Sequence, residues 1–543
     1  MRAALLFGLP VGLLAGGFFV GGREVAEPPT PLPVSAALQV QTFDLLIAGG
    51  TVVDGTGAPG RRADVGIRGD RIVAVAPSLP RAGVTRVIDA TGRIVSPGFI
   101  DLHAHLEPLL QLPLMESALR QGVTLALGGP DGGSPLPLAP YLDSVRTTQP
   151  GINVAYLVGH NDIRRAVLGM ADRAPSAAEL ARMQWLVAEA MGQGAFGLST
   201  GLLYLPGTYS NVEEVIALAR VASESGGIYT SHLRKEGIGL LDGVGEALEI
   251  GRRAKIPVVL THHKAVGQQM WGKSTVTLAM VDSARKAGTD VMIDQYPYTA
   301  THTNLGVLVP SWAMAGGNAE FRKRLENPAL KDSIVAGIIF NILNDRGGGD
   351  LARVQFSRVT WDTSLEGKTL KDWAARRNLA PTPENGAQLV LEAMLKGGAN
   401  AIYHVLDEGD VRRIMTHPFT MIASDGRLSR PGDGHPHPRA YGTFPRVLGE
   451  YVRTQRLLSL DTAIHKMTQM PAMRLGLRDR GVLRDGAMAD VVVFDAATVK
   501  DQATFTEPHQ YPLGIGTVIV NGTAAVDGGA ATGVRAGRVL TRR

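Results

Sequence analysis

The stretch Ile94-Val95-Ser96-Pro97-Gly98-Phe99-Ile100-Asp101-Leu102-His103-Ala104-His105 decides the fold, because this apolar, extended segment delivers two histidines separated by one residue. Side chains alternate between the two faces of a β-strand, so His103 and His105 are predicted to point the same way and to share one ion. Two histidines on a polar strand face usually bind no metal. The metal interpretation therefore depends on further ligands elsewhere in the chain.

Length and composition indicate a large, loop-rich α/β enzyme. The chain has 543 residues, of which 66 are glycine and 45% are hydrophobic, so we expect a large catalytic domain with a smaller companion. The formal net charge is only +5 and the basic residues are scattered, which argues against nucleic-acid binding. Because the chain contains no cysteine, disulfides, thiolate ligands and a cysteine nucleophile are excluded.

The first 22 residues resemble a secretory signal peptide, with an apolar run from Ala3 to Val20, and residues 23–42 read as a polar, proline-rich linker. An uncleaved membrane anchor is the alternative, since the run is long enough for either. We expect a bacterial periplasmic or secreted protein without a stable membrane span, tethered only if the leader is not cleaved.

Both ends of the remaining chain show short alternating apolar segments separated by glycine turns, over residues 43–94 and 481–543. This pattern predicts one small β-sandwich domain built from both ends of the chain. The middle, residues 95–480, alternates strand-like runs with alanine-rich amphipathic stretches, the pattern of repeated βα units.

After the opening strand, seven further strands are predicted in this middle region: Val123–Leu127, Asn153–Val158, Ala195–Leu198, Gly227–Thr230, Pro257–Leu260, Asp290–Ile293 and Phe419–Ala423. Eight parallel strands are the number in a closed (β/α)₈ TIM-type barrel. The segment from about residue 309 to 413, between the seventh and eighth strands, is too long for a loop. We interpret it as an inserted lid on the face where such barrels build their active sites.

Polar residues follow the predicted strands where a barrel places its chemistry: Asp131 after the second, His232 after the fifth, His262 after the sixth and Asp425 after the eighth. Each alone has an ordinary interpretation, a satisfied buried histidine or an aspartate in a turn. Convergence from several strands, together with His103 and His105, favours a metal site. Imidazole and carboxylate ligands suit Zn²⁺, with other divalent transition metals open. Asp425 is the expected general base for an activated water.

These motifs make the chain resemble the amidohydrolase superfamily and, within it, the N-acyl-D-amino-acid deacylase (D-aminoacylase) family. The resemblance spans residues 43–543 and is carried by the opening stretch and by Gly201-Leu202-Leu203-Tyr204, Ser231-His232-Leu233-Arg234, Thr261-His262-His263-Lys264, Tyr296-Pro297-Tyr298, Ser424-Asp425-Gly426 and Pro436-His437-Pro438-Arg439-Ala440-Tyr441-Gly442-Thr443-Phe444.

The resemblance implies that His103, His105 and Asp425 surround one metal position and that His232 and His262 hold the other. Members of that family typically add a cysteine after the second strand, where this chain has Asp131. A carboxylate can bridge two ions, so one or two zinc ions are expected.

The resemblance further implies that Lys264, Tyr296 and Arg439 bind the α-carboxylate of a small-molecule substrate; surface ion pairing is the alternative for the two cations. Many other amidohydrolases bridge their metals with a carboxylated lysine from a middle strand. The first lysine of this chain is Lys235, beyond the predicted fifth strand, which argues against hydantoinase-like and urease-like sites.

We therefore predict metal-dependent hydrolysis of the amide bond of N-acyl-D-amino acids, which yields a carboxylate and a free D-amino acid. A dipeptidase or cyclic-amide hydrolase of the same superfamily is the alternative within enzymes. A non-catalytic, small-molecule-binding barrel is a more remote alternative. The acyl chain, the preferred side chain, the number of metal ions and the oligomeric state stay open.

Overall fold

A computed structural model describes residues 42–542. The predicted signal peptide and all but the last residue of the predicted linker lie outside the described residues. Among residues 42–542, no helix is both long enough and apolar enough to span a bilayer.

The strands of this part of the chain are β1 (Leu45–Val52), β2 (Arg61–Arg68), β3 (Arg71–Ala76), β4 (Arg86–Asp89), β5 (Ile94–Pro97), β6 (Phe99–Asp101), β7 (Ala104–His105), β8 (Val123–Gly128), β9 (Asn153–Tyr156), β10 (Val158–Gly159), β11 (Gly197–Gly201), β12 (Ile228–His232), β13 (Val258–Leu260), β14 (Val291–Gln295), β15 (Thr301–Asn304), β16 (Val354–Arg358), β17 (Asn400–Tyr403), β18 (Thr420–Ile422), β19 (Gly426–Arg427), β20 (Val491–Phe494), β21 (Ile515–Val520), β22 (Thr523–Asp527) and β23 (Ala530–Ala531).

The α-helices are α1 (Glu116–Leu119), α2 (Leu138–Thr148), α3 (His160–Leu168), α4 (Ala177–Gly192), α5 (Val212–Glu224), α6 (Leu240–Ala254), α7 (Ser274–Lys286), α8 (Asn318–Glu326), α9 (Pro328–Asn344), α10 (Leu370–Arg376), α11 (Pro383–Leu395), α12 (Glu408–Thr416), α13 (Arg439–Arg446), α14 (Leu460–Met467) and α15 (Gln469–Arg474). A π-helical segment covers Val447–Thr454, and single 3₁₀ turns occupy Gly207–Tyr209, Gln268–Met270, Leu305–Leu308, Ser311–Met314, Leu351–Arg353 and Thr363–Leu365.

The barrel strands pair in parallel in the orders β6-β8-β9 and β10-β11-β12-β13-β14-β18. Each of the eight predicted strand segments contains or overlaps an observed strand, and helices such as α5, α6 and α7 connect successive strands. All six residues of β8 are buried, as expected when helices cover a parallel sheet on its outer face. α6 buries Leu240, Val244, Ala247 and Ile250, whose spacing of three and four residues places them on one face of the helix.

The opening stretch is not one strand, because it passes from the small domain into the barrel at Gly98. β5 pairs with β1 and β20 in the small domain, whereas β6 pairs with β8 in the barrel. A Cβ at Gly98 would lie 2.1 Å from Thr124 Oγ1, so only glycine allows this close approach of the two elements. The chain therefore enters the barrel five residues before His103.

The predicted small β domain is built on one nine-stranded sheet to which both chain ends contribute, in the order β23-β22-β21-β20-β5-β1-β2-β3 with β4 beside β1. Its core includes Ile47, Val65 and Val95 from the first end and Val491 and Ile519 from the second.

The segment between the seventh and eighth barrel strands has a core of its own. Three antiparallel strands in the order β15-β17-β16 pack with α8 to α11, and Leu308, Ile338 and Phe356 are buried between them. Its first strand begins at Thr301, eight residues before the start expected from the sequence.

Candidate metal centre

The six residues predicted as ligands gather at the carboxyl ends of the barrel strands. Their donor atoms form two groups: His103, His105, Asp131 and Asp425 make the first, and Asp131, His232 and His262 make the second. Asp131 belongs to both, so the residue that stands where the related family has a cysteine lies between the two groups.

Asp131 faces four imidazoles with its two carboxylate oxygens. Oδ1 lies 3.3 Å from His103 Nε2 and 3.4 Å from His262 Nε2. Oδ2 lies 3.6 Å from His105 Nε2 and 3.7 Å from His232 Nδ1. Within each group the ligand atoms all lie within 4.8 Å of one another, close enough to share one ion.

Three of these residues have left-handed backbone conformations, with φ of 55° at Asp131, 37° at His262 and 50° at Asp425. Each lies two or three residues after the end of a barrel strand, in the turn that follows it. Such conformations cost free energy for residues other than glycine and concentrate at functional sites. The backbone amide of His262 is held in place by Asp294 Oδ1 at 2.5 Å.

The charges around Asp425 keep it ionised. Burial alone would raise the pKa of Asp425, but the positive charge of Arg439 and the nearby histidines outweigh burial and hold the pKa below its ordinary value. Arg439 Nη1 lies 2.7 Å from Asp425 Oδ2, and His105 Nε2 lies 3.2 Å from Asp425 Oδ1. A buried, ionised carboxylate can act both as a ligand and as a proton acceptor.

The described residues fit a divalent cation. Two buried polar atoms that face the centre, His103 Nε2 and Asp131 Oδ1, have no hydrogen-bond partner within residues 42–542. Leaving such atoms unsatisfied is costly, and a bound cation would occupy the donors that point inwards. Burial and Lys264 would lower the pKa of His262, yet Asp131 and Asp425 raise it to about 9, so the carboxylates of the centre attract positive charge.

The three residues predicted to bind substrate line a cavity of about 280 Å³ together with four of the candidate ligands, His105, Asp131, His232 and Asp425. The guanidinium of Arg439 lies 4.6 Å from the ring centre of Tyr296, whose hydroxyl has no hydrogen-bond partner among the described residues. Lys264 is buried rather than on the surface, and its ammonium contacts a carboxylate and His262 Nδ1 at 2.6 Å. A second cavity, between β16 and the loop after β19, shares Arg439 and His302 with the first.

The carboxylate that contacts Lys264 is Glu236, which sequence reasoning missed. Its side chain is buried, with Oε1 at 3.3 Å from His262 Nδ1 and Oε2 at 3.4 Å from His232 Nε2. Arg346, from the inserted segment, approaches it at 3.6 Å. Burial opposes the ionised form of Glu236, but the charges of His232 and Lys264 hold its pKa well below the ordinary value. Its position four residues after His232 was the one available signal.

Asp101 was also missed as part of the site, although it lies in the opening stretch. It accepts hydrogen bonds from the backbone amide of Ser424 at 2.9 Å and from that of His103 at 3.2 Å, and it contacts the Ser424 hydroxyl. Burial raises the pKa of Asp101 to about 6. The backbone amide of Asp425 donates to the His103 carbonyl at 2.8 Å, so the first and last barrel strands meet at the site.

Comparison with known proteins places the chain in a family. The sequence profile described as Amidohydrolase family matches residues 86–327 and 363–526. N-acyl-D-glutamate deacylase from Alcaligenes xylosoxydans xylosoxydans is 40% identical over 92% of this chain and 97% of its own length. The chain belongs to the amidohydrolase family, in its N-acyl-D-amino-acid deacylase branch.

Two solved structures of this branch share the fold. An N-acyl-D-glutamate deacylase from Bordetella bronchiseptica, complexed with zinc and a phosphonate mimic of the tetrahedral intermediate, is 38% identical with a TM-score of 0.77. A D-aminoacylase described as having a binuclear metal centre is 38% identical with a TM-score of 0.78. Each covers 92% of this chain and 100% of its own. The predicted barrel fold and family are thereby confirmed.

Proposed function

We propose that the protein hydrolyses the amide bond of N-acyl-D-amino acids at a metal centre, releasing a carboxylate and a free D-amino acid. The observation that carries this proposal is the shared position of Asp131 between two imidazole groups, directly beside Asp425. The related deacylase and D-aminoacylase described above support the substrate class.

We assign Asp131, His232 and His262 to the principal ion, and His103, His105 and Asp425 to a second position. Zinc fits this donor set best, because imidazole and carboxylate are its ordinary ligands in hydrolases. A divalent ion at this place supplies a Lewis acid for the acyl carbonyl and makes a nearby water more acidic.

Asp425 is assigned as the general base. Its carboxylate is ionised, and Arg439 holds Oδ2 while Oδ1 faces the histidines. It takes a proton from the attacking water and returns it to the leaving nitrogen, a role that requires one group able to act as base and then as acid. Arg439 orients the carboxylate and keeps it free of a proton until that step.

The α-carboxylate of the substrate is assigned to Arg439, Lys264 and Tyr296. The guanidinium offers several donors, the ammonium adds charge, and the Tyr296 hydroxyl is free to donate. Both cations are already close to carboxylates, so a substrate carboxylate would share them with Glu236 and Asp425.

A steady-state assay tests the proposal. The purified protein, loaded with zinc, is offered N-acetyl-D-amino acids, their L-enantiomers, D-containing dipeptides and cyclic imides. We expect turnover of the N-acetyl-D-amino acids above all others. Activity confined to dipeptides or cyclic imides would contradict the proposal in favour of the alternative within the superfamily, and binding without turnover would favour the non-catalytic alternative.

We also propose that residues 1–22 direct export to the periplasm or beyond, on the basis of their apolar composition. Fractionation of the producing bacterium, with N-terminal sequencing of the mature protein, tests this. Full-length protein in the cytoplasm would contradict it.

A further inference from the structure

Glu236 lies behind the candidate metal centre, on the side away from Asp131. Only 4% of the residue is exposed, and it belongs to the loop between β12 and α6. Neither of its oxygens contacts the carboxylates of the centre. Glu236 instead contacts His232 and His262 at the ring nitrogens that point away from Asp131, and it also contacts Lys264 and Arg346.

The two histidines present opposite nitrogens to the centre. His232 points Nδ1 towards Asp131 and leaves Nε2 outside, whereas His262 points Nε2 inwards and leaves Nδ1 outside. Glu236 meets both outer atoms with one carboxylate, Oε2 at 3.4 Å from His232 Nε2 and Oε1 at 3.3 Å from His262 Nδ1. A histidine that ligates a metal through one nitrogen usually donates its other N–H to an acceptor, which fixes the tautomer and the ring orientation.

We propose that Glu236 is a positioning residue for the metal-binding His232, whose Nε2–H points at its carboxylate, and that it thereby holds His232 in the form that ligates through Nδ1. Its effect on His262 is indirect, because it contacts Lys264, whose ammonium donates to His262 Nδ1. This inference rests on the proposed metal site but not on the identity of the substrate.

The hydrogen bonds of the two histidines agree with this assignment. Lys264 lies 2.6 Å from His262 Nδ1, and since an ammonium can only donate, Nδ1 accepts this bond and the hydrogen of His262 lies on Nε2. His262 Nε2 donates to His232 Nδ1 at 2.8 Å, which leaves the hydrogen of His232 on Nε2, 3.4 Å from Glu236 Oε2. Lys264 and Arg346 balance the charge of Glu236 and so offset the free-energy cost of burying its carboxylate.

The test measures zinc affinity of the metal-free protein by competition with a chromogenic chelator, without any substrate. Glu236→Gln keeps the size of the side chain but replaces the charged acceptor of the His232 N–H by a neutral amide, which forms a weaker hydrogen bond. We expect zinc to bind about tenfold more weakly to this variant, and up to about 100-fold more weakly to Glu236→Ala, the range found when partners of metal ligands are removed. The absorption spectrum of the cobalt-substituted protein should change in both variants.

Two variants act as matched controls. Glu246→Gln removes a carboxylate of the same region that is bonded to Arg234 at 2.9 Å and is remote from the histidine nitrogens. Arg346→Gln removes a charge partner of Glu236 but leaves the carboxylate in place. Both should bind zinc within about threefold of the unaltered protein. If an unpaired cation impairs folding of Glu236→Gln, the double variant Glu236→Gln/Arg346→Gln keeps the local net charge, and the same loss of affinity is expected.

Zinc affinity within twofold of the unaltered protein in Glu236→Gln and Glu236→Ala, with an unchanged cobalt spectrum, would overturn the proposal. Equal losses in Arg346→Gln would also overturn it, because the effect would then follow charge balance rather than the contact between Glu236 and the His232 N–H. Since zinc binding is measured without substrate, a protein that binds zinc as expected but deacylates nothing would contradict the proposed function alone.

Discussion

Replacing Asp131 is the most direct way to test how the metal centre is built. The replacement removes one ligand from each group at the same time, because Asp131 belongs to both groups. Each of its two oxygens faces one histidine of each group, Oδ1 facing His103 and His262, and Oδ2 facing His105 and His232. Asp131→Asn is the cleaner variant, since asparagine tolerates the left-handed φ of 55° whereas alanine adds backbone strain.

The expected magnitude follows from the number of ligands that remain. Without Asp131 the second group keeps only His232 and His262, fewer than the three protein ligands that catalytic zinc sites use. Removal of a partner that merely supports a ligand weakens metal binding by about 10-fold to 100-fold. Loss of a ligand itself should therefore cost at least about 100-fold in zinc affinity, or about 2.8 kcal/mol. Turnover should fall in parallel, because the ion would supply the Lewis acid for the acyl carbonyl.

The assay is zinc content by mass spectrometry after dialysis against a zinc buffer, followed by steady-state kinetics with an N-acetyl-D-amino acid. Asp162→Asn is a suitable control, because Asp162 accepts a hydrogen bond from the Ser134 amide at 2.8 Å in the same loop region without contacting the histidines. Full zinc occupancy together with a normal rate in both Asp131→Asn and Asp131→Ala would refute the assignment of Asp131 to the site.

Three further predictions address other parts of the molecule. Asp425→Asn should lower kcat by about 10²-fold to 10⁴-fold, the range for loss of a general base, as measured by steady-state kinetics. Arg439→Ala should raise KM for N-acyl-D-amino acids about tenfold or more through loss of a charged hydrogen bond, and an unchanged KM would contradict its carboxylate role. Burial lowers the pKa of Lys466 from its ordinary value of 10.5 to about 8. The unfolded chain therefore binds this proton more tightly, and the free energy of unfolding should rise between pH 8 and pH 10.5 by up to about 3 kcal/mol. Urea denaturation should show this rise in the unaltered protein and not in Lys466→Met.

The barrel and the convergence of its ligands could be predicted because they depend on local patterns. β8 is a mostly apolar, fully buried run, and His232 is the last residue of another fully buried strand, which places it at the shared edge of the sheet. The close approach at Gly98, by contrast, depends on Thr124 in a neighbouring strand. The sequence therefore indicated an extended run there but not the change of sheet within it.

Glu236 and Arg346 escaped prediction for a physical reason. Glu236 lies in a loop, which has no repeating pattern from which its position could be predicted. One of the residues that it contacts, Arg346, is 110 residues away in the inserted segment. A carboxylate followed by glycine resembles an ordinary exposed turn until the burial of its partners is known. The left-handed turns at His262 and Asp425 were equally invisible, because nothing in either residue type requires that conformation.

The two halves of the centre are held in different ways. In the first half, the backbone fixes the geometry: the Asp425 amide donates to the His103 carbonyl, and Asp101 accepts from Ser424 of the last strand. In the second half, His232 and His262 lie beside the buried carboxylate of Glu236, whose charge is balanced in part by a cation from the inserted segment. Main-chain bonds between paired strands tolerate side-chain changes elsewhere, whereas a buried ion network loses its balance when one member is removed. Substitutions in the inserted segment should therefore disturb the positions of His232 and His262 more than those of His103 and His105.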